Sequence, residues 1–135
     1  MTDVSGGTFA VNCGALANGH IYICSLSGSA VSPLKIYYYE TPSSKPEVIG
    51  NFTNIPGADA RHGDAISVNI DKNGNGYIFF GSNASKDIVR IKITNHKTAS
   101  EPTVIASNPN ATANTYVYRI DDTDKYLWSG LRLPV

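Results

Sequence analysis

An all-β fold of tandem four-stranded antiparallel meanders is what this 135-residue sequence predicts, and three observations carry that expectation. The first is an internal echo at a shift of about 55 residues, the mark of one supersecondary unit used several times. Tyr22-Ile23 recurs as Tyr77-Ile78, and Leu34-Lys35-Ile36 recurs as Val89-Arg90-Ile91. Shifted by one more residue, Pro46-Glu47-Val48-Ile49 recurs as Pro102-Thr103-Val104-Ile105, and a weaker third copy opens at Tyr126-Leu127-Trp128. The second observation is a series of short runs rich in β-branched and aromatic residues, which suit a pleated, half-buried surface. The third is the Asn, Asp and Gly punctuation between those runs, which tolerates the left-handed backbone of tight hairpins.

The first unit, 8–52, holds strand-like runs at 8–13, 20–25, 34–40 and 47–52. The second, 65–106, holds them at 65–70, 76–81, 88–94 and 103–106; the third, 115–135, is incomplete, with runs at 115–120 and 125–129. Alternation is clean in the third run of each unit. Val89, Ile91 and Ile93 point one way and Arg90 and Lys92 the other; Leu34, Ile36 and Tyr38 point inward, with Lys35, Tyr37 and Tyr39 outside. The second run of the second unit, Tyr77-Ile78-Phe79-Phe80, is apolar throughout, as expected of a strand covered on both faces. Turns are predicted at Asn18-Gly19, at 71–76 and at 121–124, and loops at 41–46 and 96–102, where a Pro precedes or opens the next strand. No amphipathic helix is evident.

A meander repeated radially gives a β-propeller, so residues 1–135 read as a single propeller-like region of about two and a half blades. Such rings typically have four or more blades. The expectation is therefore a fragment of a larger propeller; the alternative is self-association through open blade edges.

Charged residues make up 16% of the chain, against roughly 25% in an average soluble domain, and eleven basic residues balance eleven acidic ones. A neutral chain has no broad footprint for nucleic acid, and no apolar run is long enough to span a membrane. The first residues have neither the basic head nor the apolar stretch of a signal peptide. If Asn18-Gly19 is a two-residue hairpin turn, Cys13 faces Cys24. A cross-strand disulfide is then geometrically open to them, although two small buried hydrophobes is the preferred, plainer reading.

One polar constellation stands out. Arg61, His62 and Asp64 lie in the connection into the second unit, and in a propeller this connection shares a face with the loop carrying Asn83, Lys86 and Asp87. These six are the candidate ligand-binding residues, with acid–base work as a further option. The plainer account has Asp64 capping a turn and Arg61 pairing with a nearby carboxylate, and it is preferred.

Other constellations carry less. Asp71-x-Asn73-x-Asn75-Gly76 copies half of a calcium loop, but its twelfth position is Ser82 where a bidentate Glu is needed, so a hairpin turn is preferred. Weak calcium contact by Asp71, or by Asp121, Asp122 and Asp124, is a minor alternative. His20, His62 and His96 fall in three separate contexts without ligand spacing, and no metal or cofactor is expected. Nucleophile-elbow, phosphate-loop and Cys-x-x-Cys motifs are lacking. Tyr37, Tyr38 and Tyr39 suggest a sugar-stacking platform, although aromatics in strands more often pack. Sequons begin at Asn51, Asn83 and Asn110, and matter only in a glycosylating secretory pathway.

The order of Arg-His-Gly-Asp-Ala-Ile-Ser-Val (61–68) and Gly-Asn-Gly-Tyr-Ile-Phe-Phe-Gly-Ser-Asn (74–83) resembles the uncharacterised propeller-like surface or secreted proteins of gut Bacteroidetes, domains of unknown function. The resemblance implies a longer, exported protein in the periplasm, at the cell surface or outside the cell, and carries over no catalytic residue. The functional expectation is a non-catalytic binding or scaffolding module whose partner is a glycan or a protein. The alternative is part of a glycan-active hydrolase or lyase whose site needs blades missing from this chain.

Overall fold

Two-residue turns and period-two runs fold here as eleven strands, in a computed structural model that describes residues 9–27, 32–53, 55, 61–81, 87–107, 115–120 and 127–131. Asn18 and Gly19 take φ values of 49° and 84°, the left-handed pair that joins β1 (Phe9–Ala17) to β2 (His20–Leu26). With β3 (Leu34–Tyr39) and β4 (Glu47–Phe52) these strands form one antiparallel sheet in the order β1-β2-β3-β4. The second sheet repeats the meander with β5 (Ala65–Ile70), β6 (Gly76–Gly81) and β7 (Asp87–Thr94).

Its fourth strand is split, where a plain loop from 96 to 102 was expected. Asn95 and His96, at φ of 50° and 63°, close a tight turn that pairs β8 (Thr98–Ala99) with the end of β7. Pro102 has no N–H to continue the ladder. Ser100 bridges the gap: its N–H donates to the Lys92 carbonyl at 2.9 Å, and its Oγ accepts from the Lys92 N–H at 3.0 Å. Pairing with β7 then resumes in β9 (Thr103–Ser107). A hairpin of β10 (Thr115–Ile120) and β11 (Leu127–Leu131) follows, and β10 runs across β5, β6 and β7.

The two sheets share one core. Tyr22, Cys24, Leu34, Ile36, Tyr38 and Phe52 of the first meet Ile70, Ile78, Phe80, Val89, Ile91 and Ile93 of the second, all buried. Val89, Ile91 and Ile93 are fully enclosed while Lys92 between them is exposed, as the alternation predicts. Tyr37 and Tyr39 do lie on the opposite face from Tyr38, but they are buried as well, so the first sheet is covered on both sides at this strand.

Register decides how far the internal echo is structural. Ile23 pairs with Tyr37 in the first sheet, whereas its counterpart Ile78 pairs with Ile91, not Lys92. That one-residue slip between units reverses which face each third-strand residue occupies. Tyr22 faces the second sheet, and its counterpart Tyr77 lies on the face of the second sheet turned away from the first. Leu34 and Ile36, however, point at Val89 and Ile91 across the same interface.

Burying an aliphatic side chain of this size contributes about 2 kcal/mol, and its removal leaves a cavity besides. Ile91→Ala is expected to lower stability by about 3 kcal/mol in urea unfolding, and Lys92→Ala, one residue on and solvent-facing, by less than about 0.5 kcal/mol.

Candidate functional site

The connection into β5 is held by a backbone bridge and by side-chain bonds. The His62 N–H donates to the Ser27 carbonyl at 3.0 Å, and the His62 carbonyl accepts from the Ser27 N–H at 2.9 Å, extending β2 by an antiparallel bridge. His62 is consequently buried, 3% exposed. Arg61 and Asp64 close on each other: Nε donates to Oδ2 at 2.8 Å and Nη2 to Oδ1 at 2.7 Å, a fork-to-fork ion pair. Asp87 is buried at the first residue of β7, opposite Ser107. Of the six residues singled out from sequence, Asn83 and Lys86 lie outside the described residues, as do Ser82, Asp121, Asp122 and Asp124. Arg61 does pair with a nearby carboxylate, that of Asp64.

Gly63 is the pivot of this connection. Its φ of +96° is one that side chains rarely adopt, and a Cβ there would lie 2.3 Å from the Ser25 carbonyl oxygen. Its own carbonyl accepts from Asn12 Nδ2 at 2.7 Å and from the Cys13 thiol at 3.2 Å. Cys13 stands opposite Cys24 in the ladder, as the Asn18-Gly19 turn requires, with the two sulfurs 3.2 Å apart and both residues as thiols. The Cys13 thiol and burial together push the Cys24 thiol well above the ordinary range. Gly63→Ala is expected to cost at least about 2 kcal/mol in thermal or urea unfolding, since strain and a backbone clash combine.

The half calcium loop works as a turn. Asp71 Oδ1 accepts the N–H groups of Asn73 and Asn75 at 2.8 and 2.9 Å, and Gly74, at φ +79°, sits against His96. Among the described residues no cluster of three or more His, Cys, Asp or Glu could hold a metal.

A second cluster was not legible beforehand. His20 and His96 were expected in separate contexts, but stacking the sheets brings their rings to a centroid distance of 4.4 Å. The Tyr38 hydroxyl lies 2.9 Å from His20 Nδ1, which is also 3.1 Å from the Glu40 carbonyl. The Tyr22 hydroxyl donates to the His96 carbonyl at 3.2 Å. Lys97 Nζ lies 5.3 Å from the Tyr38 ring centre and 2.6 Å from Glu47, whose carboxylate holds the Lys97 pKa up. His96 and Lys97 lie more than fifty residues from His20, Tyr22 and Tyr38 in sequence, and the sheet-to-sheet contact joins the two sets.

Burial, with Tyr38 beside it, pushes the Tyr22 phenol far above its ordinary value. Burial, then Glu40, moves Tyr38 the same way. A raised folded-state value means the fold prefers the neutral phenol. Its contribution is complete below the unfolded value of about 10 and is lost as pH climbs toward the folded one. Urea-unfolding stability should therefore decline above about pH 10, and Tyr22→Phe should flatten that decline while costing about 1 kcal/mol at neutral pH for the lost hydrogen bond.

The whole chain, residues 1–135, matches the model of the family DUF4623, a domain of unknown function, and the chain belongs to that family. It is similar to a crystal structure of a DUF4623 family protein from Bacteroides eggerthii DSM 20697, at 57% identity and a TM-score of 0.84. That likeness covers 98% of this chain and 31% of the other, so the chain spans about a third of that relative's length. No curated protein matches the chain.

Proposed function

We propose that the chain is a propeller-like part of an exported, non-catalytic binding or scaffolding protein, with a glycan or a protein as its partner. The observation that carries this reading is the succession of stacked antiparallel units: the first sheet on the second by a shared apolar core, and then β10 across the second sheet. Units stacked in this way bury what their neighbours expose, the construction principle of repeat architectures. The long family member supports it, since further chain is present there to continue the stack.

The polar side chains support the non-catalytic half of the reading. Arg61 is spent on Asp64, Asp71 on its own turn and Glu47 on Lys97. A carboxylate already held by a guanidinium or by backbone N–H groups is a poor general acid or base. Export to the periplasm, cell surface or medium is the setting that the resemblance to Bacteroidetes surface proteins favours.

Affinity electrophoresis of the chain in gels cast with soluble polysaccharides, run beside a reducing-end assay, tests this. Retardation without new reducing ends is the expected result for a glycan-binding module. Newly released reducing ends or unsaturated sugars would replace the proposal with the hydrolase or lyase reading. No retardation in any polysaccharide would remove the glycan partner and leave the protein one, for which a defined stoichiometric complex is the required observation.

A further inference from the structure

The cross-strand thiols form a chemical site that the proposed function does not use. Cys13 on β1 and Cys24 on β2 are directly opposed, with sulfurs 3.2 Å apart. Opposed residues of an antiparallel pair have Cα atoms about 4.5 or 5.5 Å apart, and both distances fall within the span a disulfide bridges. The sulfurs need to close by only about 1 Å to reach bonding distance. Cys24 is fully buried in the core, whereas Cys13 is partly exposed and packed against it.

We propose that Cys13 and Cys24 are a redox-modifiable pair, oxidised to a disulfide that fastens edge strand β1 to β2, with a small-molecule or protein disulfide as oxidant. The accessible Cys13 sulfur attacks the oxidant R–S–S–R, forming Cys13–S–S–R and releasing RSH. Cys24 sulfur then attacks Cys13 sulfur, its proton passes to the departing RS⁻, and a second RSH leaves. Two thiols of the chain lose two electrons and two protons in total, and one oxidant disulfide becomes two thiols.

The surroundings keep the structural cost of oxidation low. Before oxidation the Gly63 carbonyl accepts from the Cys13 thiol at 3.2 Å, with the Cys24 sulfur 3.8 Å away. Loss of those weak donors leaves that oxygen satisfied, because Asn12 Nδ2 still donates to it at 2.7 Å. Along the chain, β1 bears a register irregularity between Phe9 and Cys13, and Gly14 follows Cys13, so backbone beside the sulfur can adjust. What the bond secures is the outermost strand of its sheet, which carries Asn12 and leads into the turn of Asn18, whose side chains reach the Gly63 and Ile70 carbonyls.

The test is alkylation with intact-mass analysis of the 135-residue chain, equilibrated in glutathione buffers from fully reduced to fully oxidised. Reduced protein should take two alkyl groups. Oxidised protein should take none, lack two hydrogens, yield a Cys13–Cys24 cross-linked peptide and melt higher by roughly 5–10 °C. Cys13→Ser, which leaves the buried Cys24 in place, should fold, keep one alkylatable thiol and show no redox-dependent melting. Two alkyl groups on protein taken from fully oxidising buffer and alkylated after denaturation, a glutathione adduct on Cys13 that never resolves, or a disulfide-linked dimer would each overturn the proposal.

Discussion

The layer of aliphatic and aromatic side chains between the two meanders sets the position of nearly everything else in the described chain. Its members are supplied half by the first sheet and half by the second, so neither sheet can bury its own share alone. Each such side chain contributes about 2 kcal/mol on burial, against about 1 kcal/mol for a typical hydrogen bond. The polar contacts that cross the interface are fewer than the apolar ones, and their role is to fix where the sheets sit. At one end Asn18 donates to the Ile70 carbonyl and Tyr22 to that of His96; at the other, Asn12 and Cys13 meet Gly63.

Those joints explain why the two candidate clusters turned out so differently. Arg61, His62 and Asp64 belong to the segment that leaves the first sheet and enters the second, where Arg61 pairs with Asp64 and the His62 backbone bridges to Ser27. The Ser27–His62 bridge draws the imidazole inward, and Gly63 lies so close to the Ser25 carbonyl that the chain there has little freedom. His20 and His96, by contrast, sit at the turn ends of β2 and β7. No local rule placed them together, and they meet because the shared layer holds one sheet against the other at that end.

Strand positions were largely readable because each depends on neighbours close in sequence. Asn18-Gly19 specified both a turn type and the opposition of Cys13 to Cys24. Alternation in Val89–Ile93 named the buried side; of the apolar run Tyr77–Phe80, expected to be covered on both faces, Ile78, Phe79 and Phe80 are buried and Tyr77 is exposed. The misses have a common cause. The division of the fourth strand into β8 and β9 rests on Ser100 replacing a ladder bond that Pro102 cannot make, a long-range exchange with Lys92. Burial of Tyr37 and Tyr39 on the face called outward reflects coverage from elsewhere in the fold, which period-two patterning does not encode.

Most consequential is the slip between the second and third strands of the two units. Had the pairing been identical, Ile78 would oppose Lys92, and Arg90 would stand where Val89 or Ile91 now closes the core. The slip turns the apolar sides of both third strands toward one another, so the interface between the units is built of aliphatic and aromatic side chains. The other face of the second sheet is left with Ser67, Asn69, Arg90 and Lys92 beside Tyr77 and Phe79, and there the Arg90 guanidinium lies 4.6 Å from the Tyr77 ring centre. The two faces of the second sheet are therefore chemically distinct although the units echo one another in sequence, and such distinctness works against units pairing out of order. An echo of residue types is thus compatible with reversed faces. Cross-strand register, not similarity of the repeated words, determines which side chains do the same job.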